Sequence, residues 1–340
     1  MRVRSRILLY IQSFLLVIIL IIFLMYLNNP GLFSRFNTSE KSLRIAKETS
    51  LPWDDPGLDN LPARQEGEFI RYGHELITHT SRYIGPEVKD PKMRFAGNNL
   101  ACQNCHLDAG TRKFSAPYIG VYVRFPQFRG RENTIGTIQE RINGCMQRSM
   151  NGKPLPENSR EMKAMVSYMR WVSRGVAVGQ NIKEIGYTKL EIPERKADLD
   201  HGELVFQQNC VPCHGEDGQG VRNGEPGDAK GYLYPPLWGP DSFNNGAGMH
   251  RILTAARFIK GNMPFGTTAN DPLLSDEEAY DVAAYINSHS RPEKTDLDND
   301  YPDLSKKPAD CPYPPYADHF PLKQHKYGPF QPITKYYSKK

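Results

Sequence analysis

The sequence predicts a mostly α-helical chain built from two tandem copies of one small unit. An N-terminal membrane-spanning helix precedes them, and an extended tail rich in Pro and Tyr follows. Three observations carry this. The stretch Cys102-Gln103-Asn104-Cys105-His106 returns as Cys210-Val211-Pro212-Cys213-His214. Helical periodicity flanks both copies in the same order. The chain opens on a long apolar run and closes on residues 292–340, which hold nine prolines.

C-x-x-C-H is the pattern of covalent c-type haem attachment. Two thiols three positions apart form thioethers to one porphyrin, and the adjacent imidazole becomes an iron ligand. Zinc sites and redox dithiols also use C-x-x-C, but neither needs a His directly after the second Cys in both copies. Each repeat is therefore read as a cytochrome c-type domain. Cys102, Cys105 and His106 hold one haem c, and Cys210, Cys213 and His214 hold the other.

In chain order, Arg2, Arg4 and Arg6 precede an apolar run of 21 residues, Ile7 to Leu27. That is about the length that crosses a bilayer. The basic end stays cytoplasmic and sends the remainder to the periplasmic or extracytoplasmic side. Tyr26-Leu27-Asn28-Asn29-Pro30 lacks a small-residue cleavage site, so residues 1–30 are read as an uncleaved anchor. Residues 31–66 form a tether. The first domain spans 67–175, where Phe69, Tyr72, Leu76 and Ile77 recur at helical spacing. Its Tyr72-Gly73-His74-Glu75-Leu76 is echoed by His201-Gly202-Glu203-Leu204-Val205 ahead of the second motif. Met162, Met165, Val166, Met169 and Val172 form one later helical face. Ala279, Val282, Ala283 and Ile286 form its counterpart, opened by a Ser275/Glu278 capping box. Residues 176–197 link the domains, and the second spans 198–291. The tail, 292–340, is too proline-rich for a long helix. Tyr301, Tyr313, Tyr316, Phe320, Tyr327 and Phe330 predict that it packs over the domains.

C-x-x-C-H supplies one axial ligand, and the other decides between electron transfer and chemistry. For the second haem the candidate is Met263, just before Pro264 and ahead of the last domain helix, with His250 and Lys260 as alternatives. In the first domain the matching place holds Cys145. Four of the six cysteines belong to the haem motifs, which leaves Cys145 and Cys311. Cys145 is open to three readings at this point: a thiolate ligand, a disulfide partner of Cys311, or an inert thiol beside ligating Met146 or Met150. From Arg112 to Arg148 there are seven basic residues against two acidic ones, a local +5 equal to the formal charge of the whole chain. Such a patch stabilises a thiolate and gathers small anions. Elsewhere charge is balanced, and nothing points to nucleic acid.

Asn143-Gly144-Cys145-Met146-Gln147-Arg148-Ser149-Met150-Asn151-Gly152-Lys153-Pro154-Leu155-Pro156 resembles the central motif of the dihaem thiosulfate dehydrogenases, which also act as tetrathionate reductases. Similar agreement holds for Tyr234 to Asn244, Gly246 to Met249, Asn262-Met263-Pro264 and His325 to Ile333, so the likeness runs from about residue 66 to 333. The resemblance implies His106/Cys145 ligation at a catalytic first haem and His214/Met263 at an electron-transfer second haem. It assigns Arg131, Arg141 and Ser149 to the substrate site. Some family members carry Lys before the distal Met and exchange ligands on reduction. Here that position is Asn262, which leaves room for an Asn/Met exchange instead.

The activity so implied joins two thiosulfates to tetrathionate, or runs in reverse, with an external cytochrome or membrane electron carrier as partner. Two rivals stand beside it. One is a non-catalytic, membrane-anchored dihaem electron carrier. The other is a cytochrome that attaches thiosulfate to a carrier protein.

Overall fold

The computed structural model describes residues 57–338. The predicted membrane-spanning run and most of the tether lie outside the described residues. Among the described residues no helix is long and apolar enough to cross a membrane.

The architecture is mostly helical, and the same helical pair occurs twice. In the first repeat α1 (Gln65–Thr78) packs on α3 (Arg160–Val172), with α2 (Ile138–Arg148) between them in sequence. In the second, α4 (Leu199–Asn209) packs on α6 (Asp276–Ser288), with α5 (Ile252–Asn262) in the place of α2. Both repeats and the tail belong to one packed unit.

The repeated Gly within the Tyr72 to Leu76 echo has a physical reason. A Cβ added to Gly73 would sit 2.1 Å from the Ala164 carbonyl oxygen of α3. One added to Gly202 would sit 2.2 Å from the Asp281 carbonyl oxygen of α6. Only glycine lets the paired backbones approach so closely. The facing side chains then close each core. Met162, Met165, Met169 and Val172 of α3 are buried, as are Ala279, Val282, Ala283 and Ile286 of α6.

The helix starts follow local chemistry. At α6, Ser275 N–H donates to Glu278 Oε2 at 2.8 Å and Glu278 N–H to Ser275 Oγ at 3.1 Å, the expected capping box. An equivalent pair, Thr137 and Glu140, starts α2 and so fixes where its last turn falls. Ser159 caps α3, accepting from Met162 N–H.

Two short antiparallel ribbons complete the domains. Strand β1 (Gln127–Arg129) pairs with β2 (Thr134–Gly136), and β3 (Val221–Arg222) pairs with β4 (Tyr232–Tyr234).

The tail packs over both domains, but it is not extended throughout. It carries two short helices, α7 (Leu322–Tyr327) and α8 (Gln331–Tyr337). Pro321 caps one and Pro332 lies in the first turn of the other, where a missing N–H costs no helical bond. Phe330 and Ile333 are buried in the second core, while Tyr301, Cys311 and Tyr313 make a small core of their own.

Asp281 staples the second domain. Its carboxylate accepts from Arg195 at 2.7 and 2.8 Å, from His201 Nδ1 at 2.8 Å and from Asp198 N–H at 2.9 Å. Burial alone raises its pKa, yet these donors outweigh burial and hold it below the usual carboxylate range. The contribution to stability is thus present above the unfolded carboxylate value, about 3.9, and lost as pH falls through the lower folded value. An Asp281→Asn variant is expected to lose about 2 kcal/mol in thermal unfolding, a figure reduced because Arg195 is 38% exposed.

Candidate active site

The first haem motif follows α1, and its backbone is tied to that helix. The Thr80 hydroxyl accepts from Cys102 N–H at 3.0 Å and donates to Leu76 O at 2.7 Å, while Gln103 Nε2 reaches Thr78 O. His106 Nδ1 lies 2.7 Å from the Ala116 carbonyl oxygen. Nδ1 therefore carries the proton, and the lone pair of Nε2 is left for a ligand. Burial pulls the His106 pKa down to about 4, which keeps the ring neutral.

The second motif repeats the device. His214 Nδ1 lies 2.8 Å from Pro235 O, and burial lowers its pKa as well. In both copies the His N–H closes onto the carbonyl of the first motif Cys, at 3.0 Å in the first and 2.9 Å in the second. Among the described residues no group of three or more His, Cys, Asp and Glu is arranged to hold a metal ion. A neutral imidazole fixed by a carbonyl, two adjacent thiols and an apolar cavity fit a c-type haem and not a structural zinc site.

One cavity gathers the first motif with the side chains singled out opposite it. Cys102, Cys105 and His106 line it, and so do Arg141, Cys145 and Ser149. Helix α2 sets their order. Arg141 and Cys145 are four residues apart, so they share a face, and Arg141 Nη1 donates to Cys145 Sγ at 2.9 Å. Cys145 raises the Arg141 pKa, outweighing the desolvation that lowers it. Ser149 caps α2, and its carbonyl accepts from Asn98 Nδ2. Met146 and Met150 reach the same cavity.

The disulfide alternative is not what the structure adopts. None of the six cysteines is in a disulfide, and Cys311 lies in the tail core with Tyr301 and Tyr313. Burial pushes the Cys311 thiol up, as expected of an unreactive packing residue.

Arg131 is not among the cavity residues. Its Nη1 donates to Gly246 O at 3.0 Å and its Nε lies 3.9 Å from Asp300 Oδ2. It stands near enough to Arg141 for the two charges to oppose each other.

At the second haem motif, Met263 directly follows α5 and packs, with Cys210, against the second core. Of the alternative ligands, Lys260 is engaged elsewhere, pairing with Asp276 at 2.5 Å, while His250 is buried with its Nδ1 2.8 Å from Asn245 O. Asn262 is buried, and its Nδ2 donates to Phe114 O at 3.1 Å, bridging the domains.

Several site features escaped the sequence reading. Met249 and Phe243, from the second repeat, help line the first cavity. Asn244 Nδ2 donates to Gln147 O and Asn151 Oδ1, bracing the turn after Cys145. Asp300 holds Arg148.

Comparison with known proteins agrees with this construction. Residues 93–178 match the SoxA/TsdA cytochrome c domain family, and residues 199–290 match the cytochrome c family. The thiosulfate dehydrogenase of Stutzerimonas stutzeri (strain A1501) is 40% identical over 238 residues, covering 70% of this chain and 72% of that protein. That of Allochromatium vinosum is 43% identical over 242 residues, covering 70% of this chain and 83% of that protein. The chain belongs to the thiosulfate dehydrogenase family. Among solved structures, a thiosulfate dehydrogenase (TsdBA) from Marichromatium purpuratum superposes with a TM-score of 0.63 at 36% identity over 71% of this chain. This family member spans half the length of that solved chain. As a thiosulfate dehydrogenase homologue with two cytochrome c domains, it is a dihaem protein carrying two covalently bound haem c groups.

Proposed function

We propose that the chain oxidatively couples two thiosulfates to tetrathionate at the first domain, and reduces tetrathionate when driven in reverse. The observation that carries this reading is the Cys145 sulfur held at 2.9 Å by the Arg141 guanidinium, inside the cavity of the first haem motif. A haem carrier without chemistry has no use for a guanidinium-paired thiol at that place.

Cys102, Cys105 and His106 would hold the first haem, with Cys145 as a further ligand to its iron; Cys210, Cys213, His214 and Met263 would hold the second. The bound haems supply the acceptor for two electrons. The remaining chemistry belongs to side chains. Arg141 donates to the Cys145 sulfur and, with Arg131 standing close by outside the cavity, offsets the charge of the incoming dianion. Planar guanidinium suits a multi-oxygen sulfonate, and Ser149 adds a hydroxyl donor. The Cys145 thiolate joins its Sγ to the outer sulfur of one thiosulfate, and the pair gives up two electrons. The outer sulfur of a second thiosulfate attacks the middle sulfur of the resulting Cys145 Sγ–S–SO3 adduct and breaks the Sγ–S bond, which frees tetrathionate and regenerates the thiolate. Electrons leave through the second domain to an external cytochrome or membrane carrier.

The apolar run from Ile7 to Leu27 anchors the protein in the cytoplasmic membrane, with both domains on the periplasmic side. Steady-state assays on washed membranes test both parts. Thiosulfate oxidation with an artificial acceptor and no carrier protein is expected, together with tetrathionate reduction. Absence of both activities would sink the catalytic reading, and release of the protein by an alkaline wash would sink the anchor.

A further inference from the structure

The anion site has a support that comes from the other end of the chain. Asp300, in the tail, is 7% exposed. Its Oδ1 accepts from Arg148 Nη2, in the last turn of α2, across 152 positions of sequence. Its Oδ2 accepts from Tyr313 Oη at 2.7 Å and lies 3.9 Å from Arg131 Nε. The neighbouring Tyr301 adds three contacts to the same arginine. Its N–H donates to Arg131 O at 2.7 Å, its hydroxyl accepts from Arg131 Nε at 3.4 Å, and its ring lies 5.6 Å from the Arg131 guanidinium.

Arg131 and Arg148 are 19% and 10% exposed, and Arg141 is close by. Guanidinium groups withdrawn from water side by side need a counter-charge, or they separate and turn outward. The tail brings one carboxylate to two of them. No other carboxylate among the described residues is within ion-pair distance of either arginine.

We propose that Asp300 is a positioning residue for thiosulfate binding, its carboxylate fixing Arg131 and Arg148 around the turn that carries Cys145 and Ser149. The inference rests on the reading of Arg131 and Arg141 as the anion-binding pair. Asp300 touches the arginines and not the substrate. Two effects of removing its charge oppose each other. Locally the site becomes more positive, which favours an anion. The arginines, however, lose the partner that orients them. Orientation dominates, because a carboxylate already paired with two guanidiniums projects little field, whereas guanidiniums released from it swing away from the anion and leave the turn that carries Cys145 and Ser149 unbraced.

The test uses the full-length holoprotein, comparing Asp300→Asn with Asp281→Asn, the buried carboxylate of the second domain. Asp300→Asn is expected to raise the thiosulfate KM about tenfold, the equivalent of one charge-assisted hydrogen bond, with kcat within about twofold. Asp281→Asn is expected to lower the unfolding temperature and leave KM in place. A KM that is unchanged or lowered in Asp300→Asn, or that rises equally in both variants, overturns the proposal. If Asp300→Asn does not accumulate as holoprotein, Tyr313→Phe removes one bond to the same carboxylate while keeping every charge. A smaller KM rise is then expected, and an unchanged KM overturns the proposal. A wild-type protein that does not turn over thiosulfate overturns the functional reading and this inference together, whereas active wild type with unaltered variants overturns the inference alone.

Discussion

A Cys145→Gly variant is expected to retain two haems per chain and lose thiosulfate turnover by roughly ten-thousand-fold, the scale seen when a nucleophile that acts within a unit is removed. Neither haem attachment motif includes Cys145, and the side chain is not part of the close-packed core, so loading and folding are spared. The thiol has two assignments in the proposed cycle, as a ligand and as the bearer of the sulfonate adduct, and both vanish at once. Haem content by absorbance and rates with an artificial acceptor are the measurements. Met146 and Met150 line the same cavity, so the variant also reports on them. An unaltered haem spectrum would identify a methionine as the native ligand, and near-wild-type turnover would end the nucleophile assignment.

Arg141→Ala is expected to lower kcat/KM for thiosulfate by about a hundredfold to a thousandfold, the range found when one preorganised donor to a developing charge is lost. Arg141 acts on both reacting parties: it donates to Cys145 and attracts the dianion. Arg141→Lys should fall between, because an ammonium restores charge without the planar fork. The Arg141 pKa is raised above its ordinary value, so the guanidinium stays charged across the working range and no alkaline limb of the pH profile belongs to it. Steady-state kinetics at matched ionic strength decide the point, since exposed electrostatics fade with salt. A loss of less than about threefold would remove Arg141 from the mechanism.

What the sequence made legible was local. C-x-x-C-H, the glycine inside each short echo and the Ser275/Glu278 cap are each patterns contained within a few residues. Each rests on short-range geometry that spacing reveals. The remainder depended on approaches between distant segments. Asp300 meets Arg148 across 152 positions, and Asn262 meets Phe114 across 148, with no pattern in either stretch to announce it. The tail departs from expectation for a related reason. Its prolines exclude a long helix, as expected, but at the first turn of α8 and just before α7 they are compatible with short ones, so the tail is not extended throughout. The Cys145–Cys311 alternative arose from counting unpaired thiols, and counting carries no information on where the chain puts them.

The bridge from Asn262 to the Phe114 carbonyl has a consequence for kinetics. The segment that includes Phe114 is also stitched to the chain joining the repeats, through Phe114 N–H to Glu184 O and Ala116 N–H to Gly186 O. Arg112 reaches Thr267 O from the same side. Ala116 steadies one proximal imidazole, and Asn262 is the immediate neighbour of Met263. Segments tied in this way favour internal passage of charge as a hop over one set gap, and that is the expected behaviour. Solvent viscosity should leave that hop untouched and slow only encounters with outside molecules.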